Sequence, residues 1–313
     1  MFLKKIIIIT ISIFLLLIIS YATYLFLNVK ATMKAIHSPL TIEKTSSEIA
    51  LPTPTPTTTP SQNSSEAKNN TPPITLLLLG IDQLQNSPGR ADTILVLTVN
   101  PTSQTIKMLS IPRDTYTEIV GLNFYDKINH SYAFGSVAMT YATVENLLQI
   151  PIDYVVSINM EGFVDLIDTL NGVEIDNQIA FSTDEFDFPK GKIVLSGPET
   201  LAYVRMRYDD PLGDFGRQNR QRMVVENILK QLSSLNIIWQ VPSVLETIRS
   251  NVETNITYDD MKTFIKSYKP ALNNIEQLNF EKGDGRIENG IWYYFLDKTE
   301  LQTIQAELQE SLK

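Results

Sequence analysis

The chain has 313 residues, a formal net charge of −9, no cysteine and only two histidines, His37 and His130. A chain this acidic lacks the basic excess of a general nucleic-acid binder, and without cysteine it has no disulfide, thiolate nucleophile or Cys-type zinc site. Any metal must be held mainly by carboxylates, which favours a hard cation, Mg2+ or Mn2+.

In chain order, a short tip over residues 1–5 carries Lys4 and Lys5 and precedes an uncharged apolar run from Ile6 to Leu27. At 1.5 Å per residue that run makes about 33 Å of helix, enough to cross a bilayer, so a transmembrane helix is expected over 6–28. The run is longer than the apolar core of a signal peptide. It ends among bulky Tyr21, Tyr24 and Phe26 rather than at a small-residue cleavage site, which argues for a retained anchor. The positive-inside rule places Met1 in the cytoplasm and the rest of the chain outside, although Lys30 and Lys34 lie on the far flank. Residues 29–73 read as a linker: the Pro/Thr repeat over 52–60 and the polar stretch over 61–71 cannot bury a core and should be extended.

Folded sequence is expected over 74–313. Thr75–Ile81 is a continuous apolar run closed by Gly80 and Asp82, the pattern of a buried central strand. Thr93–Val99 and Thr105–Ile111 flank a turn-rich pentapeptide and read as a β-hairpin. Helical spacing follows over 136–148, a strand over 153–158, a helix over 162–170, a strand over 201–208 and a long helix over 217–235. The tail alternates helices near 240–250 and 258–270, strands near 275–281 and 292–296, and a last helix from Lys298. Strands mixed with helices throughout predict one α/β domain whose mixed sheet is covered by helices on both faces.

Seven of the nine arginines fall between positions 90 and 222. Arginine suits planar, bidentate contact with phosphate oxygens better than lysine does. A strand over 201–208 would turn Val204 and Met206 to the core and project Arg205 and Arg207 together from the other face, roughly 7 Å apart, a separation that suits a diphosphate. On the following helix, Arg217 and Gln221 extend the apolar stripe of Val225, Ile228 and Leu232, so both should point inward near a helix N-terminus, where an anion is favoured. Surface solvation or a purely structural ion pair is the plainer alternative for each arginine. Asp82 closes the first strand and Asp92 opens the second, behind Arg90. If the chain turns back between them, both carboxylates meet at one sheet edge and could hold Mg2+ with substrate phosphates. A turn-former and a salt-bridge partner are the plainer roles for these two.

Six segments then occur in a telling order: Leu77–Asp82, Arg90–Ile94, Ser110–Asp114, Asp126–Asn129, Leu201–Arg207 and Asp214–Gln221. Together they resemble the LytR-CpsA-Psr family of cell-wall glycopolymer ligases, closely over about residues 74–235. The resemblance implies a three-layer α/β/α fold and an extracytoplasmic enzyme of the bacterial envelope. It implies a phosphotransferase that moves a glycopolymer, such as a teichoic acid or capsule, from a polyprenyl-pyrophosphate carrier to peptidoglycan. The matching positions suggest Arg90, Arg113, Lys127, Arg205, Arg207, Arg217 and Gln221 for the pyrophosphate. They suggest Asp82 and Asp92 for Mg2+ or Mn2+, these two being also the candidates for a general base. Asp82, Asp92, Arg90 and Arg113 make up the expected catalytic set. The sequence departs from the family where Ser136 follows Gly135 and where Asn171 precedes Gly172, positions at which glycine pairs are common. His130 is expected to pack rather than react. A sensor of lipid-linked precursors and a pyrophosphatase remain as alternatives with the same ligand.

Overall fold

The computed structural model describes residues 2–38, 71–83, 88–207, 210–233 and 241–313; for residues 1–18, 241, 242 and 245 no side chain is described. Helix α1 (Phe2–Ile36) comes first. A hairpin-rich core follows, with β1 (Ile74–Asp82), β2 (Arg90–Asn100), β3 (Thr105–Ser110), β4 (Tyr116–Ile119) and β5 (Phe124–Lys127). Then come α2 (His130–Leu148), β6 (Tyr154–Asn159) and α3 (Met160–Thr169). A small β region holds β7 (Val173–Asn177), β8 (Phe181–Ser182), β9 (Asp187–Phe188) and β10 (Gly191–Leu195), and leads to α4 (Gly197–Arg205) and α5 (Asp214–Leu232). The tail supplies α6 (Val241–Asn251), β11 (Val252–Thr254), α7 (Tyr258–Thr263) with irregular helical turns to Asn273, β12 (Ile275–Leu278), β13 (Asp284–Glu288), β14 (Ile291–Phe295) and α8 (Lys298–Ser311).

The six-stranded sheet has the order β11-β6-β1-β2-β3-β12. β6 runs parallel to β1 and β12 parallel to β3, while the β1–β2–β3 meander and β11 are antiparallel, so the sheet is mixed. β1 is central, and its unbroken apolar run follows from burial on both faces. Leu77, Leu79 and Ile81 join Ile94, Val96 and Leu109 under α2 and α8, packing with Val137, Val144, Ile304 and Leu308. Leu76 and Leu78 face the other way with Leu95, Leu97 and Met108, against Val225 and Leu229 of α5 and Tyr268. A third cluster joins α3–α6 to the small β region through Ile167, Ile175, Phe188, Tyr203 and Val224. The expected mixed sheet with helices on both faces is therefore present.

Three expectations need correction. Residues 201–205 are helical, the C-terminal half of α4, not a strand. Ser196-Gly-Pro-Glu199 starts that helix: Glu199 Oε2 accepts from the Ser196 hydroxyl (2.6 Å) and backbone N–H (2.8 Å), with proline in the first turn. Second, the folded unit does not begin at residue 74. α1 continues to Ile36, into the segment read as linker, and its Thr32, Met33 and Ile36 are buried. Arg249 Nη2 of α6 donates to Thr32 Oγ1 (3.2 Å), and Ser38 N donates to Thr254 O of β11 (2.8 Å). Most of the expected linker, 39–70, lies outside the described residues. Third, Arg220 and Arg222 are buried along with Arg217 and Gln221, so α5 is enclosed on more sides than one apolar stripe implies.

Among the described residues no helix is long and apolar enough to cross a membrane; the side chains of residues 1–18, which hold most of the Ile6–Leu27 run, are not among those described. The two departures from the family pattern both fall on left-handed backbone. Asn171 (φ 61°) and Gly172 (φ 92°) form the turn after α3, where asparagine is tolerated, whereas Ser136 (φ 57°, ψ −151°) kinks α2 in a region that suits glycine.

Candidate functional site

Strand register brings the acidic and basic positions to one end of the sheet. Asp82 is the Cα partner of Arg90 across β1–β2, as the turned-back chain requires. Gly80 pairs with Thr93 but Ile81 with Ala91, so Asp92 is the extra residue of a β-bulge. A bulge re-aims the side chain it carries, and here both oxygens of Asp92 are used: Oδ2 accepts from Arg113 Nη1 (2.7 Å) and Oδ1 from Asn129 Nδ2 (2.9 Å).

From Arg113 the network continues. Its Nε lies 3.7 Å from Asp114 Oδ2, and Asp114 Oδ1 takes Lys127 Nζ at 2.8 Å. Burial works against the Arg113 charge, but Asp92, Asp114 and Asp214 together outweigh it and raise its pKa above the ordinary arginine value. Asp214, at the first turn of α5, also pairs with Arg217 Nη2 (2.8 Å). Arg113, Lys127 and Arg217 are thus linked through two carboxylates, Asp114 and Asp214. Two guanidinium nitrogens in this cluster, Arg113 Nε and Arg217 Nε, are buried without a hydrogen-bond partner, and Asp214 Oδ1 sits close to Arg217 without hydrogen-bond alignment. A buried, unsatisfied N–H of a charged group is costly unless a ligand oxygen meets it.

Arg205 and Arg207 reach the site differently from the strand expectation. α4 ends at Arg205, whose half-exposed guanidinium bonds Asp82 Oδ1 at 3.3 Å, while Arg207 lies half-buried in the following turn. That turn is held by Arg220, which donates to Tyr203 O, Met206 O and the Asp210 carboxylate. Gly216 lets Asp210 lie against α5, since a Cβ there would fall 2.0 Å from Asp210 Oδ2. Arg222 is buried on Gln277 and Asn219, and burial lowers its pKa to about 10; it braces α5 against β12. Gln221 is buried as expected.

Three contributors were not singled out from the sequence as site residues, namely Asp114, Asn129 and Asp214, although each closes or opens one of the quoted motifs. Carboxylates and an amide that clamp the arginines of the neighbouring motifs are the signal that could have found them. His130 pairs through Nδ1 with Asp126 Oδ2 (2.8 Å) and meets Phe134 edge-on, a packing role. Among the described residues no group of three or more His, Asp or Glu side chains is placed to hold a metal by itself. Asp82 and Asp92 each retain acceptor capacity beyond the bonds described, since a carboxylate offers about four lone-pair sites; as hard oxygen donors they fit Mg2+ completed by phosphate and water.

Fold and site together define an α/β domain with helices on both sheet faces and a cluster of cations braced by carboxylates at one sheet end. The chain belongs to the LytR_cpsA_psr family, whose model matches residues 23–310. It is 44% identical over 302 residues to the polyisoprenyl-teichoic acid–peptidoglycan teichoic acid transferase TagU of Bacillus licheniformis, covering 96% of this chain and 93% of that protein. The crystal structure of Bacillus subtilis TagU superposes with a TM-score of 0.65 at 44% identity, covering 78% of this chain and 98% of that one. TagT bound to LIIa-WTA superposes with a TM-score of 0.66 at 32% identity, covering 80% and 94%.

Proposed function

We propose that this chain is a polyisoprenyl-teichoic acid–peptidoglycan transferase of the cell envelope. The observation that carries this reading is the pair of buried, unsatisfied Nε groups of Arg113 and Arg217 within a shared carboxylate network, in a family whose TagU members bear that name. Arg113, Arg217, Lys127, Arg205, Arg207, Arg90 and Gln221 hold the pyrophosphate of the carrier. A hydroxyl of the acceptor glycan attacks the phosphorus nearer the polymer, a new P–O bond forms, and the bridging P–O bond breaks. Polyprenyl phosphate leaves, and the hydroxyl proton passes to a carboxylate, Asp82 or Asp92. The protein positions both reactants and neutralises developing charge, as in other phosphoryl transfers. Asp82 and Asp92 are the residues to hold Mg2+ or Mn2+, which when bound supplies further charge neutralisation at the phosphate oxygens.

In this reading the Ile6–Leu27 run is a single-pass membrane anchor, with the N-terminus in the cytoplasm and the domain outside. Ile19, Tyr24, Phe26 and Leu27 stay about half exposed on α1 before Thr32 becomes buried on the domain, which suits aromatic and aliphatic contact with the membrane interface.

The test combines purified full-length protein, teichoic acid on a polyprenyl-pyrophosphate carrier, peptidoglycan and Mg2+. The expected product is polymer joined to the glycan by a phosphodiester, with polyprenyl phosphate released. Release of polyprenyl phosphate with water as the sole acceptor would make the protein a pyrophosphatase instead.

A further inference from the structure

Beside the arginine network lies a cavity of about 320 Å3. Its walls come from Pro112 and Asp114 before β4, from Asp214, Phe215 and Gln218 of α5, and from Trp292 and Tyr294 of β14. Gly283 and Gly285 form the floor, where the β13–β14 hairpin folds its rings over glycine. A Cβ at Gly285 would fall 2.6 Å from Trp292 Cζ2, and one at Gly283 would fall 2.3 Å from Tyr294 Cζ. Tyr294 is fixed from three sides. Its N–H donates to Asp114 O (2.9 Å), its hydroxyl accepts from Gly283 N (3.1 Å), and its ring meets Phe215 edge-on. Trp292 keeps 43% of its surface exposed despite its place in the wall.

The lining separates what this cavity can take from what the arginines take. Asp114 and Asp214 line it, each paired with a cation of the neighbouring cluster and each with acceptor capacity to spare. Neutral hydroxyl or acetamido groups suit them, and Gln218 adds an amide. The exposed indole offers a flat apolar face to ring C–H bonds. Carboxylate and amide acceptors opposite an aromatic face describe a sugar subsite, and the volume stands at the lower end of the roughly 300–1,000 Å3 of small-molecule pockets, room for a single substituted ring rather than a chain.

The same two carboxylates also brace the cationic cluster: Asp114 holds Lys127 and Asp214 holds Arg217. A hydroxyl bound to either one therefore lies next to the guanidiniums that face the pyrophosphate. We propose that the cavity between α5 and the β13–β14 hairpin is the acceptor subsite, which stacks one N-acetylated pyranose of the peptidoglycan glycan on Trp292 and orients its hydroxyl with Asp114 and Asp214. The proposal rests on the transferase reading and names where that reaction's second substrate sits. Trp292 and the two carboxylates are positioning residues for the acceptor, not ligands of the donor.

The chain has two tryptophans, Trp239 and Trp292, and Trp239 lies outside the described residues. In full-length protein carrying Trp239→Phe, emission then reports Trp292 alone. Titration with soluble glycan oligomers prepared from peptidoglycan should give a saturable change in that emission. Gly285→Ala keeps an ordinary backbone but displaces the indole, and Trp292→Ala removes it. Each should raise the KM for the acceptor about tenfold, the equivalent of about 1.4 kcal/mol of lost contact, and leave the KM for the lipid-linked donor unchanged. Unchanged Trp292 emission, or an unchanged acceptor KM in both folded variants, overturns the proposal, as does a matching rise in donor KM. If the glycan oligomers titrate Trp292 while the parent protein forms no phosphodiester, the subsite stands and the transferase reading fails.

Discussion

Arg113 is the residue on which most of the site converges, because its guanidinium serves Asp92 on one side and faces Asp114 and Asp214 on the other. Lysine would keep the charge and lose the planar fork. Arg113→Lys should therefore weaken binding of a polyprenyl pyrophosphate about tenfold or more, since a charge-assisted hydrogen bond contributes roughly 1.5–3 kcal/mol. Calorimetric titration against pyrophosphate and monophosphate lipids measures this, and equal affinity for the parent and the variant would take Arg113 out of the site. Asp92 makes a second case. Asn at this position retains an acceptor for Asn129 or Arg113 but removes the charge that supports Arg113 and any cation. Asp92→Asn should lower Mg2+-dependent transfer steeply while shifting the urea midpoint by an amount equivalent to about 1–2 kcal/mol. Full activity of this variant in EDTA would leave Asp92 a purely structural brace. Ser136 tests strain rather than chemistry. Ser136→Gly relieves a left-handed backbone at an exposed position and should stabilise the protein by about 1 kcal/mol in thermal melts, the lower end for such strain.

At the scale of elements, α4 decides where Arg205 and Arg207 go. Periodicity alone makes residues 201–208 an acceptable strand, because Tyr203, Val204 and Met206 are apolar and the arginines fall between them. The capping box at Ser196 and Glu199 overrides that pattern, and the helix delivers Arg205 to Asp82. The same bonds to Ser196 hold the Glu199 carboxyl below its ordinary pKa. A depressed carboxyl binds fewer protons in the folded state than in the unfolded one. Its stabilisation is therefore complete above the ordinary glutamate pKa and fades as pH falls through the folded value. Glu199→Gln should cost about 1 kcal/mol at pH 7, and the gap between parent and variant should close in acid. Urea unfolding at pH 7 and pH 3 checks both limbs, and a gap that persists undiminished at pH 3 would assign the effect to something other than this charge. α5 shows a related lesson. Its arginines look like a solvated face by composition, yet Arg220 and Arg222 are buried cross-links that hold the α4–α5 turn and β12.

For the whole molecule, the C-terminal end of α1 is part of the folded unit. Thr32, Met33 and Ile36 are buried, Phe26 meets Tyr258 edge-on, and Ser38 pairs with β11, while Pro72 O at the other end accepts from Tyr268. Ser38 and Pro72 are thus both fixed to the same domain. Cleavage between them should leave two fragments that co-elute under native conditions and part only in denaturant. Protease treatment of protoplasts followed by washing checks this, and release of a soluble fragment starting near residue 70 would show that α1 is not docked. A domain held in this way keeps a set orientation to α1 rather than standing off on a tether.

The meander β1–β2–β3, the β6–α3 unit and the long α5 were legible because each has an unambiguous apolar period and clear turn residues at its ends. The placement of Asp82 opposite Arg90 at one sheet end was legible for the same reason, since the two strands pair back on each other. The motif order from Leu77 to Gln221 sufficed to suggest the family and the chemistry. Only the tertiary structure decided the rest. Local patterning could not choose between strand and helix for 201–205, because a cap outside the window settles it. Nor could it bring Asp114, Asn129 and Asp214 around Arg113 and Arg217, because those contacts join β2, the segments flanking β4 and β5, and α5 across long stretches of chain. The cavity between α5 and the β13–β14 hairpin is the extreme case. Trp292 and Phe215 are ordinary apolar residues in sequence, and they line one pocket only because the β13–β14 hairpin pairs back to residues 114–115 beside the start of α5.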